Sequence, residues 1–478
     1  MSAGPSYPFT RLDHTLVEVP ARARSDMRVA ARVYADDVLW DQIRRDRTLE
    51  QLVNVATLPG VVEPALAMPD AHEGYGFPVG GVAAFRAADG VISPGGVGYD
   101  INCGVRLLTT GLACADVRPR LPDLMHELSR AVPAGAGRGG RVSCTPDELD
   151  DVLANGSGAL VPRGLATPED LDLTEATGRM PDADPDAVSL RARQRGHDQL
   201  GTLGSGNHFV ELQEITEIYD ADAAAAMGLR AGDCTVLIHS GSRGLGHQVC
   251  TDYVRLMDGV MRAHAITLPD RELACAPFGS PEGRRYFAAM SAAANFAFAN
   301  RQVIAHRARE TFRAVLGGEV QLRLVYDVTH NMAKLEQHGT QRLVVHRKGA
   351  TRAFGPAHPE TPVRYRAVGQ PVLIPGSMGT ASYVLAGTDD ALTRSFGSCC
   401  HGAGRAMSRR AARLAQSGQE VRRALEGRGI VVRGAGNQEL AEEAPHAYKD
   451  VDRVVEVVHR ARLARKVARL VPVGVLKG

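Results

Sequence analysis

The sequence has little net charge, few aromatic residues and no long hydrophobic run. Its 56 Lys and Arg residues nearly balance 54 Asp and Glu residues, which leaves a formal net charge of +2. This balance does not indicate a nucleic-acid-binding protein, so an RNA or DNA substrate would require basic residues concentrated on one face. No apolar run reaches the roughly 18 residues of a membrane-spanning helix, and the N-terminal residues lack the apolar core of a signal peptide. We therefore expect a soluble, cytoplasmic, globular protein with no membrane segment.

Paired cysteine motifs and a phosphate-binding P-loop are also absent. The eight cysteines form no CxxC pair, and we expect most of them, namely Cys114, Cys144, Cys234, Cys250 and Cys275, to be small buried apolar residues. No GxxxxGK[ST] motif occurs. The stretch GAGRGG at 135–140 matches GxGxxG formally, but it follows Pro133 rather than a hydrophobic strand. A dinucleotide-binding fold is therefore not expected.

The 478 residues show no internal repeat and no low-complexity linker. Turn-rich stretches at 133–140 and 156–185 are short enough to be surface excursions of one domain. An alanine-rich helix is predicted over Phe287–Val315, and a second, basic helix is predicted to begin near Ala403 and to run through Arg413. Short β-like runs lie between these segments.

Several of these β-like runs adjoin a histidine or a glycine-rich turn. The runs are Thr235–Ile238 before His239, Leu322–Val328 before His330, Leu343–Val345 before His346, Val372–Ile374 before PGSMGTASY, and FVELQEI after His208. Sites in sheet-based folds commonly lie where strand ends meet. We therefore expect an α+β fold in which sheet-end loops and strands converge on one crevice.

The loop GGVGYDINCGVRLL places Asp100 and Cys103 three residues apart among four glycines. Glycines let the backbone approach a ligand closely and adopt positive φ. Asp100, Cys103, His208, His239 and His330 all carry metal-ligating groups, and a thiolate can bridge two ions. Thiolate and imidazole favour zinc, whereas an oxygen-rich substrate such as a triphosphate favours manganese or magnesium. The residues alone leave the metal open.

The stretch CCHGAGRAMSRR places His401 directly before glycines that are predicted to open a helix. A helix N-terminus attracts phosphate and disfavours a protonated imidazole, so a neutral, nucleophilic His401 is one interpretation. The alternative is that His401 only caps the helix.

Together these segments strongly resemble the RtcB family of RNA ligases. The resemblance runs from about Met27 to Gly478, in the family's order, and rests on GGVGYDINCGVRL, LGSGNHFVEL, HSGSRGLGHQV, VTHNMAK, HRKGATRAF, PVLIPGSMGTASY, CHGAGR and the closing AEEAPHAYKDVD and GVLKG. It implies one large α+β catalytic domain over residues 1–478, with 1–26 as an N-terminal extension and about 133–190 as a variable surface excursion. It also implies a ligase, acting in tRNA splicing or RNA repair, that joins RNA 2′,3′-cyclic phosphate or 3′-phosphate ends to 5′-hydroxyl ends.

The resemblance further implies GTP, two Mn²⁺ ions and a set of site residues. Asp100, Cys103 and His208 would hold one Mn²⁺; Cys103, His239 and His330 would hold the second. His401 would become covalently guanylylated and so form a histidine–GMP intermediate on the way to an activated RNA–pp–G end. The implied GTP contacts are Asn207, His208, Phe209, Val210, Glu211, His330, Asn331, Pro375, Gly376, Ser377, Met378, Ser382, His401, Gly402, Ala403, Gly404, Tyr448 and Lys477. Lys477 would reach guanine O6, and Tyr448 would stack on the base.

Small departures from the family pattern remove no candidate ligand. They are Glu73, Ser205, the pair Cys399 and Cys400, and the stretch RGAGNQELAEEAP. Six arginines flank the motif loops and are predicted to hold RNA as a cluster: Arg243, Arg347, Arg352, Arg405, Arg409 and Arg410.

Two other functions use the same residues. They are a dinuclear metallophosphoesterase that needs no nucleotide, and a non-catalytic RNA-binding homologue. The natural RNA, the oligomeric state and the need for an archease-type activator stay open.

Overall fold

A computed structural model describes residues 7–135, 137, 139–140, 142–434 and 436–478. Two residues of the GxGxxG match, the first six residues of the predicted N-terminal extension and one residue of RGAGNQELAEEAP lie outside the described residues. The strands in chain order are β1 (Thr10–Asp13), β2 (Leu16–Val19), β3 (Ala31–Tyr34), β4 (Val61–His72), β5 (Val79–Arg86), β6 (Val91–Ile92), β7 (Gly104–Ala113), β8 (Phe209–Ile218), β9 (Asp233–Ser240), β10 (Ala276–Pro277), β11 (Arg323–Thr329), β12 (Asn331–His338), β13 (Gln341–Lys348), β14 (Ala350–Arg352), β15 (Pro371–Ile374), β16 (Ser382–Gly387), β17 (Ser398–Cys400), β18 (Val431–Gly434) and β19 (Ala464–Lys477).

The α-helices of the described residues are α1 (Asp37–Ile43), α2 (Thr48–Val55), α3 (Cys114–Val117), α4 (Leu121–Ala131), α5 (Pro146–Asn155), α6 (Pro168–Asp172), α7 (Leu190–Gly196), α8 (Ala221–Met227), α9 (Arg243–Ala263), α10 (Pro281–Leu316), α11 (Asp390–Ser395), α12 (Arg409–Ala415), α13 (Gly418–Glu426), α14 (Asn437–Glu442) and α15 (Val451–Arg460). None of them is long and apolar enough to cross a membrane.

Two large sheets form the framework. The first has the strand order β1-β2-β3-β4-β5-β13-β12. The second has the order β11-β7-β9-β8-β19-β16-β15, with β18 paired to β19. Most neighbours are antiparallel, and strands and helices do not alternate regularly along the chain. The predicted α+β class is confirmed.

Antiparallel pairing brings the candidate ligands to one edge of the second sheet. Gly104 at the start of β7 pairs with Ser240 at the end of β9 and with Thr329 at the end of β11. Phe209 at the start of β8 pairs with His239, the penultimate residue of β9, and with Lys477 at the end of β19. In an antiparallel pair the first residue of one strand lies beside the last residue of its neighbour. Residues just outside these strand ends therefore lie at the same edge of the sheet.

The first sheet contributes its own edge to the same place. The end of β4 pairs with the start of β5 at His72 and Val79, and the start of β12 pairs with the end of β13 at Asn331 and Lys348. His330 is the single residue between β11 of the second sheet and β12 of the first. The two sheet edges therefore meet at His330.

All the predicted strands are confirmed: β9, β11, β13, β15 and β8 cover the expected runs. The alanine-rich helix is α10, which begins six residues earlier than predicted because Ser280 accepts a hydrogen bond from Gly283 N and Pro281 occupies the first turn.

The predicted start of the basic helix near Ala403 is wrong. Residues 401–408 form an irregular loop with Gly404 at φ +74°, and α12 begins at Arg409. Ser408 is the cap, since its hydroxyl accepts a hydrogen bond from Ala411 N at 3.2 Å. His401 therefore neither caps a helix nor lies at a helix N-terminus, and the argument that a helix dipole keeps it neutral does not hold.

The 133–190 segment is only partly a surface excursion. Leu149, Val152, Leu153 and Leu160 are buried in an apolar cluster with α9 and α10. Leu149, Val152 and Leu153 recur on one face of α5, and this face packs on α10. All eight cysteines are buried, as expected for the five predicted to be structural.

Candidate active site

The five candidate metal ligands lie in two overlapping clusters. Asp100, Cys103 and His208 form one cluster, and Cys103, His239 and His330 form the other. Within each cluster the ligand atoms lie within 4.8 Å of one another. Cys103 Sγ is 3.3 Å from His208 Nε2 and 3.2 Å from His239 Nε2, so the thiol belongs to both clusters. One sulfur can serve two ions in this arrangement.

The other two members of each cluster are also in contact with each other: Asp100 with His208 in the first cluster, and His239 with His330 in the second. His208 Nε2 is 2.8 Å from Asp100 Oδ2, and the Nε2 atoms of His239 and His330 are 3.3 Å apart. Asp100 Oδ1 accepts hydrogen bonds from Ser242 N at 3.0 Å. At Gly241 a Cβ would lie 2.3 Å from Asp100 Oδ1, so only glycine lets the backbone pass this close to the carboxylate.

Hydrogen bonds on the far side of a ring fit a ligand role for the histidines. His239 Nδ1 lies 3.2 Å from the carbonyl oxygen of Asn207, which requires the proton on Nδ1 and leaves the Nε2 lone pair facing the cluster. Metal-ligating histidines usually donate their second ring N–H in this way. His330 Nδ1 is buried and has no hydrogen-bond partner among the described residues. This donor set of thiol, imidazoles and one carboxylate suits divalent transition metals.

Buried charge controls the protonation of Asp100 and Cys103. Burial opposes ionisation of Asp100, but the neighbouring His208 and Arg243 outweigh it and lower the pKa of that carboxyl below its usual value. Burial, together with the Asp100 charge, raises the pKa of the Cys103 thiol well above its usual value. A cation that binds the sulfur as thiolate must therefore displace a proton.

Arg301 of α10 holds the ligand-bearing segments together from behind. Its Nη1 donates to the carbonyls of Asn102 at 2.7 Å and Ser240 at 3.0 Å, and its Nη2 donates to Asp327 Oδ1 at 2.8 Å. Asn102 precedes Cys103 and has φ +52°, Ser240 follows His239, and Asp327 lies three residues before His330. A single fully buried guanidinium thus fixes three ligand positions relative to one another.

His401 lies beside the second cluster, directly after β17. Its ring centroid is 4.9 Å from that of His330. Its Nδ1 is 2.6 Å from Asp70 Oδ2, although the ring N–H is not aligned with that oxygen. The same carboxylate oxygen accepts from the backbone N–H groups of His401 and Gly402 at 3.1 and 3.3 Å. Asp70 therefore occupies the Nδ1 side of the ring and leaves Nε2 as the nitrogen available for bonding to a substrate.

A cavity of about 240 Å³ connects the metal clusters, His401 and the end of β19. It is lined by most of the residues predicted to contact GTP: Asn207, Phe209, His330, Asn331, Pro375, Gly376, Ser377, Met378, His401, Gly402, Ala403, Gly404, Tyr448 and Lys477. The structure thus brings these residues together around one space.

Four of the predicted GTP contacts do not line this cavity: His208, Val210, Glu211 and Ser382. His208 belongs to the first metal cluster, and Val210 is a fully buried residue of β8. Ser382 Oγ accepts from Gly376 N at 3.1 Å and from Gln213 Nε2 at 3.0 Å, so it supports the 375–378 loop from behind. Burial raises the pKa of Glu211 to about 8, and its Oε1 has no hydrogen-bond partner among the described residues.

Lys477 and Tyr448 both line the cavity. Lys477 is 2% exposed, and its Nζ donates to the carbonyl oxygens of Gly206 and, at 2.9 Å, of His208. Burial lowers the pKa of Lys477 to about 8. Tyr448 donates to Glu443, and the Arg405 guanidinium lies 5.2 Å from the centre of the Tyr448 ring. Lys477 is therefore an ordered strand residue and not part of a frayed end.

Sequence reasoning missed several residues at the site. His72, Val79, Gly98, Tyr99, Lys348, Gly349 and Glu443 also line the cavity, and Asp70 lies beside the His401 ring. Arg405 and Arg409, which were predicted to hold RNA, line the cavity as well. Tyr99, Lys348, Gly349 and Glu443 lie within or next to recognised motifs, so those motifs could have indicated them. Asp70 carries no local signal.

The predicted arginine cluster is wrong for three of its six members, whereas Arg405 and Arg409 line the cavity. Arg347 is buried against Glu336 at 2.6 Å, Arg352 is buried between Glu175 and Glu360, and Arg243 is mostly buried beside Asp100 and His208. Buried charges require partners, and these three find them inside the protein. Arg409 pairs with Glu443 at 3.1 Å but keeps 56% of its side chain exposed, and Arg410 is exposed.

Comparison with known proteins gives the same family as the sequence motifs, along nearly the whole chain. Residues 51–478 match the family model described as tRNA-splicing ligase RtcB. A protein named tRNA-splicing ligase RtcB from Thermococcus kodakarensis is 54% identical over 478 residues, with 98% of this chain and 99% of that protein covered. One of the same name from Archaeoglobus fulgidus is 52% identical, covering 96% and 97%. The RNA-splicing ligase RtcB of Mycobacterium tuberculosis is 54% identical over 436 residues, covering 90% of this chain and all of that protein.

Proposed function

The chain belongs to the RtcB family, and we propose that it is a GTP- and Mn²⁺-dependent RNA ligase. It would join RNA 2′,3′-cyclic phosphate or 3′-phosphate ends to 5′-hydroxyl ends, in tRNA splicing or RNA repair. The observation that supports this most directly is the contact between His401 and the His330 ring, 4.9 Å between centroids, inside the cavity that also holds both metal clusters. The proposed nucleophile and the proposed dication site are thus side by side.

The metal clusters would hold two Mn²⁺ ions, with Asp100, Cys103 and His208 on one and Cys103, His239 and His330 on the other. When bound, such ions supply positive charge that offsets the negative charge of phosphates. His239 would keep its Nδ1 proton on the Asn207 carbonyl and present Nε2, as its hydrogen bond already requires.

His401 would act as the nucleophile through Nε2. Asp70 holds the Nδ1 side and so orients the ring toward the cavity. His401 attacks the α-phosphorus of GTP, the bond to the β-phosphate oxygen breaks, and pyrophosphate leaves. The product is GMP bonded to the His401 imidazole.

The RNA steps follow from leaving-group chemistry. Any cyclic phosphate is first hydrolysed to a 3′-phosphate, one oxygen of which attacks the phosphorus of the His401-linked GMP and releases His401. This forms RNA–pp–G. The 5′-hydroxyl oxygen of the second RNA then attacks the RNA-side phosphorus, and GMP departs. A phosphomonoester has no good leaving group, and GMP provides one.

In this proposal, guanine is selected by Lys477 and Tyr448 of the cavity wall. Lys477 would donate to guanine O6, which adenine replaces with an amino group that is itself a donor. Tyr448 would stack on the base, and the 375–378 loop would line the remainder of the nucleotide. Glu211 remains a predicted GTP contact. Its Oε1 has no hydrogen-bond partner among the described residues, which is consistent with a hydrogen bond to the nucleotide. An archease-type activator remains a prediction.

Covalent labelling tests the proposal. We expect the protein incubated with α-³²P-GTP and Mn²⁺ to retain label after denaturing electrophoresis, and His401→Ala to lose both the label and ligation. His401→Ala should still join a pre-made RNA–pp–G end. The matched control is His306→Ala, because His306 of α10 does not line the cavity. Phosphoester hydrolysis without nucleotide and without label would indicate a metallophosphoesterase instead, and RNA binding without either reaction would indicate a non-catalytic homologue.

A further inference from the structure

Three aromatic rings form a continuous strip next to the first metal cluster. The ring centroids of Tyr75 and Tyr99 are 5.6 Å apart, and those of Tyr99 and His247 are 4.9 Å apart with the planes at 31°. Tyr99 lines the cavity and directly precedes Asp100. Tyr75 and Tyr99 are half-buried and His247 is exposed. We call Tyr75, Tyr99 and His247 the aromatic strip.

The backbone under the aromatic strip is held firmly. The buried side chain of Gln51 accepts from Gly74 N at 3.0 Å and donates to Gly74 O at 2.7 Å, on the residue before Tyr75. On the other side, Gly76 N donates to Glu272 Oε2 at 2.9 Å. His247 lies in the second turn of α9, a 21-residue helix. The rings are therefore presented by ordered segments and need little ordering when a ligand stacks on them.

A basic side chain lies beside the exposed end of the strip. Arg195, at the end of α7, is exposed, and its Nη1 donates to Gln248 Oε1 at 3.0 Å, on the residue after His247. No carboxylate of the described residues forms an ion pair with Arg195. Two carboxylates lie near the Tyr75 end of the strip: Glu272, which accepts a hydrogen bond from Gly76 N, and Glu73, which is 3.9 Å from Arg47. The positive charge therefore lies at the His247 end of the strip, where no ion pair of the described residues neutralises Arg195.

We propose that the aromatic strip is a stacking platform for the unpaired terminal bases of an RNA end, with Arg195 contacting the backbone phosphate. The inference rests on the proposed ligase function, which requires an RNA end at the metal clusters. Bases of any sequence present a π face, so rings beside a cationic group bind single strands without sequence preference. Tyr99, the central ring of the strip, directly precedes Asp100, and so the strip lies beside the path of a strand whose terminal phosphate would lie at the clusters.

The test measures binding of short RNA oligonucleotides that carry 2-aminopurine near one end, with Mn²⁺ and without GTP, so that no reaction occurs. One oligonucleotide ends in a 3′-phosphate and the other begins with a 5′-hydroxyl, and the end with the larger effect is the one that the strip holds. We expect Tyr75→Leu and His247→Leu each to raise Kd about 10-fold and to relieve the quenching of 2-aminopurine fluorescence. Tyr75→Phe should keep the RNA affinity and the quenching of the unaltered protein, because stacking needs the ring and not the hydroxyl.

Tyr219→Leu is the matched control, since Tyr219 is a 43% exposed tyrosine that also pairs with another ring, Tyr383, at 6.4 Å and does not line the cavity. Arg195→Gln should reduce the slope of log Kd against log salt by about one. Tyr99 is left unaltered because a change there would disturb Asp100.

Unchanged Kd and quenching in both leucine variants would overturn the platform. GTP labelling of His401, which involves no RNA, reports separately on the proposed ligase function. If the protein is labelled normally but substitutions in the strip do not weaken RNA binding, the ligase proposal stands and the stacking platform is wrong. If the protein binds RNA through the strip but is never labelled by GTP, the stacking platform stands and the ligase proposal is wrong.

Discussion

At the scale of single residues, Arg301 connects three segments that carry candidate ligands through one guanidinium. A lysine has one ammonium and no fork, so Arg301→Lys cannot bond Asn102 O, Ser240 O and Asp327 together. Arg106 still pairs with Asp327 at 2.7 Å, which limits the loss of stability. We expect Mn²⁺ affinity, measured by isothermal titration calorimetry, to fall about 10- to 100-fold. In Arg347→Lys, which alters a buried arginine paired with Glu336, Mn²⁺ affinity should stay unchanged; equal losses in both variants would contradict a positioning role for Arg301.

Cys103 differs from the other buried cysteines in what surrounds its sulfur. Cys103→Ala removes a ligand from both clusters, so we expect it to abolish Mn²⁺ binding and GTP labelling. Cys114→Ala and Cys234→Ala remove a sulfur from an apolar cluster and should lower the free energy of unfolding by about 1 kcal/mol, with labelling intact. Urea unfolding and labelling measure the two effects. Equal loss of labelling in all three folded variants would leave the bridging role without support.

A substitution at Lys477 tests how the protein would select guanine over adenine. A hydrogen bond to a charged group contributes about 1.5–3 kcal/mol, so Lys477→Ala should weaken GTP use about 10- to 100-fold and narrow the preference for GTP over ATP. Because Lys477 touches the carbonyl of His208 and not its ring, Mn²⁺ affinity should change less than nucleotide use. Rates of guanylylation and adenylylation measure the effect. Lys449→Met, a change of another buried lysine that bonds backbone carbonyls outside the cavity, should leave the GTP/ATP ratio unchanged.

At the scale of elements, a small apolar cluster supports the 375–378 loop. Met378 packs with residues of α13, β18 and α14, among them Leu425. Leu425 also approaches Gly379, where a Cβ would lie 2.8 Å from its Cδ2. The loop therefore rests on these short elements in addition to Ser382 of β16 in the second sheet.

This support predicts that Leu425→Ala raises KM for GTP in the labelling reaction, because the loop loses the surface behind it, while Mn²⁺ affinity stays unchanged. The truncation should cost about 2–5 kcal/mol locally. Leu149→Ala is the control, since Leu149 is similarly buried but packs in the α10 cluster. If both variants changed KM equally, the effect would be general destabilisation.

At the scale of the whole molecule, the metal ligands come from segments that are far apart along the chain and meet only when both sheets are formed. Ions that bind only the folded state therefore stabilise the entire fold. At a free Mn²⁺ concentration of 100 times Kd, each site should add about 2.7 kcal/mol to the free energy of unfolding. Thermal unfolding with Mn²⁺ and with a chelator should show this difference for the unaltered protein and for His401→Ala, but not for Cys103→Ala. A shift retained in Cys103→Ala would place the ion elsewhere.

The sequence by itself determined the strands, the long helix and the residues that carry the chemistry. The β-branched runs that became β8, β9, β11, β13 and β15 are local signals, because strand formation follows from the side chains within the run. The glycine-rich loop around Asp100 and Cys103 was equally informative, since glycines mark places where the backbone must approach another group. Motif likeness to the RtcB family indicated the candidate ligands, His401 and most of the residues that line the cavity.

Only the tertiary structure decided the partners of the buried charges. Asp70 lies 331 positions from His401, and Arg301 reaches Asn102 across 199 positions, so no local pattern connects them. The same limit explains the errors. Arg347 and Arg352 are near site motifs in the sequence but face internal carboxylates, and the glycines after His401 begin a loop where a helix was expected. Local side-chain pattern selects an element, whereas the partner of a buried polar group depends on which distant segments the sheets bring into contact.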